Sequence, residues 1–201
     1  MPEITEHKLI MQVTHEDFKA FMKAQLKQKG FYKTAYTITL MVTGFLFFAA
    51  VGYAISVFAI AQEVAPLLQL ATGLIFCFSL LIVLHELLHA LAYKVVGAKK
   101  VYFGAMLSKF VFFAGSDQEK FNGTKYRFIA LFPFLSITCA GLLLILFFPE
   151  YFLFSLTILF FHTLFCGGDF AVLNFIGKYD LRKFYTYDSR QTRETYFYLE
   201  S

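Results

Sequence analysis

Apolar and polar residues fall along this chain in long blocks rather than in short periods. Four apolar runs, at 36–61, 67–93, 128–148 and 151–177, each lie near the ~20 residues that a helix needs to cross a bilayer. Polar or mixed segments at 1–35, 97–127 and 178–201 flank and divide them, and the connectors around Gln62 to Pro66 and around Pro149 and Glu150 are short. The pattern predicts an all-α membrane protein with four transmembrane helices. It forms one embedded domain over 1–201: a cytoplasmic or interfacial segment at 1–35, a four-helix core at 36–177 and a tail at 178–201.

The polar segments carry weaker patterns. Lys8 to Val13 reads as a short strand, and Thr14 with Asp17 three residues on marks the start of a helix. Phe18, Phe21, Met22 and Leu26 then recur on one face, with Lys19, Lys23, Lys27 and Lys29 elsewhere, so an amphipathic helix is expected. It either lies on the membrane surface or packs on the protein's own cytoplasmic face. In the middle loop, 101–105 and 109–114 are β-prone and end at Gly115-Ser116-Asp117, which predicts a small cytoplasmic β-hairpin. The Tyr-rich tail from Asp180 onward has no decisive pattern.

Composition supports the membrane class, with 58% hydrophobic residues, 28 Phe and no Trp. The N-terminal segment has no early apolar core and no small-residue cleavage site, so no cleavable signal peptide is expected. Cys77, Cys139 and Cys166 all fall in apolar runs without a CxxC pair, which makes them small buried hydrophobes.

The distribution of charge says more than its net value of +4. All 18 Lys and Arg lie within 8–33, 94–127 and 178–193, and the two short connectors have none. By the positive-inside tendency, both termini and the middle loop are cytoplasmic, in a multi-pass protein of the cell membrane. The basic residues therefore meet anionic lipid heads of the bilayer; nucleic acid is excluded as a partner.

Against this background stands His85-Glu86-Leu87-Leu88-His89, inside the second run. Imidazole and carboxylate groups are costly to bury in hydrocarbon, and a bound metal ion would compensate them. On a helix, His85 and His89 stack one turn (~6 Å) apart and can converge on one tetrahedral ion. Glu86 is turned about 100° from His85, which suits a general base acting on water better than a ligand. The other ionisable groups of the runs, tyrosines and cysteines aside, are His162 and Asp169 in the fourth. They are ~10 Å apart along an unbroken helix, too far to share an ion. Asp169 precedes Lys178 by nine residues, as His85 precedes Lys94, so both sit ~13 Å from the cytoplasmic flank, whereas His162 is ~24 Å away.

Asp169 is thus the expected third ligand to Zn2+, although after Gly167-Gly168 it could also cap a restarted helix. His162 is expected as a hydrogen-bonded core histidine or beside the metal shell, and Asn174 as a hydrogen-bond donor to a substrate carbonyl. Cys166, one turn from Asp169, is a soft alternative ligand or a neutral buried thiol.

His85-Glu86-Leu-Leu-His89-Ala90, Gly97-Ala98-Lys99, Pro133 and Gly168-Asp169 together resemble the putative zincin peptidase family of small bacterial membrane proteins. That family is distantly similar to site-two proteases, which cleave membrane-anchored regulators. The resemblance covers 76–177 and implies a zinc-dependent fold. It also implies a membrane-anchored protein or peptide as substrate, presented as a strand added near the site, a role the 101–114 hairpin could take.

The leading expectation is a membrane-embedded zinc metalloprotease, with His85, His89 and Asp169 on the metal and Glu86 as general base. The alternatives are a non-catalytic metal-binding membrane scaffold or regulator, and a small transport protein with an intramembrane polar relay.

Overall fold

The computed structural model of the protein describes residues 7–106 and 111–200. Lys109 and Phe110, expected in the second hairpin strand, lie outside the described residues, as does the start of the N-terminal segment. In chain order the elements are β1 (His7–Thr14), α1 (Phe18–Lys27), α2 (Phe31–Ala61), α3 (Ala65–Cys77), α4 (Leu80–Val95), β2 (Val101–Met106), β3 (Val111–Ser116) and β4 (Phe121–Asn122). They continue with α5 (Gly123–Phe147), α6 (Phe152–Phe165), α7 (Gly167–Ile176), β5 (Phe184–Ser189) and β6 (Glu194–Glu200).

Among the described residues, α2 and α5 are each long and apolar enough to cross a membrane. The stretches α3 with α4, and Pro149–Phe165 with α7, reach that standard only as bent pairs, at 45° and 47°. The helices therefore provide two spans, or up to four if each pair is one span. Both breaks have local causes. At the first, the Ser79 hydroxyl donates to the Ile75 carbonyl at 2.6 Å, a back-bond that loosens the helix and bends it. At the second, Gly167-Gly168 follows Cys166, and adjacent glycines weaken helix continuity. The sequence flagged the second break and not the first.

The chain divides into a unit of residues 35–85 and 133–167 and a unit of residues 1–34, 86–132 and 168–201. The first is helical. Its core is Phe47, Ala50, Ala54, Leu70, Leu153 and Leu156, with Phe160 and Phe161 packed on it. Alpha-3 approaches α6 closely at Gly73, where an added Cβ would sit 2.9 Å from that of Thr157. Helices in an apolar medium gain little from hydrophobic exclusion, so small residues at contacts let dispersion hold them together. Of the cysteines, Cys77 and Cys166 are buried as expected, but Cys139 is exposed.

The second unit holds all the strands of the described residues; the strand expected at Lys8 to Val13 is β1, and those beyond it and the hairpin were not expected. Strands β2 and β3 pair antiparallel with Phe103 opposite Ala114, which is the expected hairpin. A four-stranded antiparallel sheet of order β1-β6-β5-β4 accompanies it. Its central pair comes from the tail, where Phe184, Thr186 and Ser189 are buried and alternate with half-buried residues. Tyr187 lies opposite Tyr196 with the rings stacked at 4.8 Å.

Alpha-1 packs on its own chain. Phe21 is buried and meets Phe175 and Phe197 at ring-centroid distances of 5.7 and 6.2 Å. Thr14 and Asp17 do bond to each other, Oγ1 to Oδ2 at 2.8 Å, but they form a turn ahead of the helix rather than a side-chain cap on it.

Phe197 is 1% exposed and touches Phe21, Phe175 and Phe184, so Phe197→Ala should cost about 3–5 kcal/mol. Denaturant unfolding of the detergent-solubilised protein, followed by tyrosine fluorescence, checks this.

Asp188 offers a pH test. Burial pushes its carboxyl up to about 6; the Thr195 hydroxyl, 2.6 Å away, pulls it down, and Asp117 adds to the rise. The native state thus keeps a proton between roughly pH 4 and 6 that the unfolded chain releases. Stability falls as pH rises through that window, by at most about 3 kcal/mol from this group. Asp188→Asn should flatten that part of the unfolding-versus-pH curve, and an unchanged curve would contradict it.

Candidate metal centre

Helix α4 is unbroken from Leu80 to Val95, so His85 and His89 project one turn apart from the same face. Their ligand nitrogens lie within 4.8 Å of one another. Both are buried, at 7% and 8% exposure.

The orientation of His89 comes from a proline. Pro133 sits inside α5 and has no N–H for the carbonyl four residues back, which belongs to Ile129. His89 Nδ1 lies 3.1 Å from that oxygen. A carbonyl can only accept, so Nδ1 carries the hydrogen and the tautomer is fixed. Nε2 then faces Asp169, 3.3 Å from Oδ1. Asp169 occupies the first turn of α7, where the positive end of the helix dipole favours a carboxylate.

That 3.3 Å separation tests the fit to a metal. A charged imidazole bonded directly to a carboxylate closes to about 2.7–2.9 Å. Two ligands held 2.0–2.1 Å from one tetrahedral zinc stand about 3.3–3.4 Å apart. The observed edge matches the second case, and imidazole with carboxylate is a donor set that zinc favours. The residues fit the ion.

Glu86 has a backbone partner. Its Oε2 accepts the backbone N–H of Ala114 on β3 at 2.7 Å, which ties α4 to the hairpin. On the other side of the pair, His85 Nδ1 lies 3.1 Å from His162 Nε2. His162 is 1% exposed, with the Phe134 ring nearly parallel to it at 6.4 Å.

A family model described as putative zincin peptidase matches residues 78–181, just over half of the chain, and takes in α4, Pro133 and α7. The chain belongs to the putative zincin peptidase family. No curated protein and no solved structure matches it. Membership implies zinc as the metal, in accord with the donor set.

Of the sequence-predicted residues of this zincin-family chain, Asp169 faces His89, and His162 touches His85, although the depth count set it nearer the outer side. Asn174 does not stand where a substrate contact needs it. It is 2% exposed; its Nδ2 donates to the carbonyls of Gln25 and Gln28 at 3.0 and 3.3 Å, and its Oδ1 accepts the Lys33 N–H at 3.2 Å. The amide latches the α1–α2 connection, and Gly30 makes room for it, since an added Cβ there would fall on Oδ1. Sequence reasoning missed Ile129 and Ala114, which act through backbone atoms. The signal for Ile129 was present, because a proline inside an apolar helix always frees the carbonyl one turn back.

Pro133→Ala would give position 133 an N–H that competes for the Ile129 oxygen. Loosening an outer-shell bond of this kind costs about 10-fold in metal affinity. Chelator competition on the purified zincin-family protein should show that loss, and an unchanged zinc affinity would remove Ile129 from the design.

Proposed function

We propose that the protein is a membrane-embedded zinc metallopeptidase that hydrolyses peptide bonds of membrane-associated substrates near the cytoplasmic leaflet. The observation that carries this reading is the His89–Asp169 edge of 3.3 Å, with the far nitrogen of His89 bonded to Ile129. His85, one turn earlier on the same helix, supplies the third donor. When bound, zinc would supply Lewis-acid activation of water and of the scissile carbonyl at neutral pH.

Glu86 is the general base. It lies beside the first ligand in sequence but around the helix from it, so it can take a proton without occupying a ligand position. The Ala114 N–H holds its Oε2 at 2.7 Å. Because β3 supplies this N–H, the hairpin sets the orientation of the base. An extended substrate segment lying along the hairpin would meet the site as an added strand.

The four-span topology, with each bent pair as one span and both termini cytoplasmic, draws support from the Lys and Arg distribution.

Glu86→Gln should lower cleavage of labelled single-span peptides in vesicles by about 100- to 10,000-fold. Zinc content should stay near that of the unaltered chain. His89→Ala and Asp169→Asn should lose the zinc. Cleavage that persists without Glu86, or zinc that stays without His89 and Asp169, would overturn the assignment.

A further inference from the structure

His162 is the centre of a second cluster, within the helical unit. Its Nε2 lies 3.1 Å from His85 Nδ1 and 3.6 Å from Cys166 Sγ. The three ligand atoms all lie within 4.8 Å of one another, and all three residues are buried, His162 and Cys166 almost completely. His162 and Cys166 are four residues apart at the end of α6, so one helix face presents both, and α4 presents the third.

These separations have the size of a coordination shell. A metal 2.3 Å from sulfur and 2.0–2.1 Å from nitrogen sets an N···S edge near 3.6 Å and an N···N edge near 3.3 Å. The observed N···S edge of 3.6 Å equals that value, and the N···N edge of 3.1 Å is slightly shorter than it. Both edges share the same nitrogen of His162, as convergence on one point between the three atoms requires.

The surroundings choose the ion. A thiolate with two neutral imidazoles carries one negative charge, and uncompensated charge is costly in an apolar interior. A divalent ion would leave a net positive charge there. A soft monovalent ion leaves none, and thiolate with imidazole suits cuprous copper. We propose that His85, His162 and Cys166 form a second metal site that takes Cu(I). His85 enters it through Nδ1 as a neutral imidazole; with zinc on its other nitrogen as well, the ring would lose its remaining proton and bridge the two ions as an imidazolate. The cluster uses no atom of His89 or Asp169, so this site stands whether or not the zinc reading does.

The test is anaerobic titration of the full-length, detergent-solubilised protein with Cu(I) against a chromogenic Cu(I) chelator, alongside zinc analysis of each sample. Wild type should withdraw one Cu(I) per chain, and X-ray absorption at the copper edge should show one sulfur and two nitrogens. Cys166→Ser and His162→Asn should weaken that binding by more than the 10- to 100-fold typical of losing an outer-shell partner. Cys77→Ser and Cys139→Ser should leave it unchanged. His89→Ala and Asp169→Asn, which test the zinc reading, should keep their Cu(I). Copper that wild type cannot hold against the chelator, or that Cys166→Ser holds as tightly, would reduce the cluster to a hydrogen-bonded trio. If Cys166→Ser fails to fold, a sulfur-free copper shell in the wild type would overturn the site in the same way, and a shell with one sulfur would uphold it.

Discussion

Ionisable side chains inside apolar helices lose their hydration, and only partners fixed in place can replace it. Every notable arrangement in the middle of this chain answers that requirement. His89 is bonded at Nδ1 to a carbonyl and faces a carboxylate with Nε2. His85 meets His162, His162 meets Cys166, and Glu86 meets a backbone N–H. Each of these partners is supplied by the chain itself. The helices are correspondingly unable to be uniform: a proline interrupts one ladder of hydrogen bonds and a pair of glycines interrupts another. At each interruption the freed backbone or the displaced turn meets one of the polar side chains. Irregular helix at such positions is tolerated where something polar takes up the slack.

The chain's organisation was legible to differing degrees, for physical reasons. Apolar blocks and the spacing of Lys and Arg were enough for the helical stretches, because length and burial dominate there. His85, Glu86, His89 and Asp169 stood out because so few ionisable groups share their surroundings. Ser79 gave no warning of its bend, since a serine in a helix is ordinary until its hydroxyl turns back on the carbonyls. The sheet was hidden for another reason. The tail mixes Tyr, Thr and Asp with charged residues, so its alternation of buried and half-buried positions is muted, and its partner β1 lies at the far end of the sequence. Pairing at that distance leaves no local mark.

Asn174 shows the same difficulty at a single residue. A polar side chain near a candidate site invites a role in recognition, yet this one satisfies three backbone groups of the α1–α2 connection. Buried amides are more often occupied by the chain itself than held open for a ligand. Only the neighbours, which sequence spacing does not supply, tell the two apart. Ala114 is the converse case: its methyl side chain offers nothing to chemistry, and its backbone N–H orients the residue proposed as the base.

The pairing of β1 with β6 sets a timetable. His7 lies opposite Glu200, so the sheet cannot close until the chain has been made through β6. These contacts join residues far apart in sequence, and such contacts form slowly. Asp169 and the last strands emerge late, long after the histidine pair has been made. A nascent chain can therefore have its early helices in the bilayer while the half-built site is still inert. The proposed zinc centre cannot close before α7 is made, so its chemistry is withheld while the early helices are inserted.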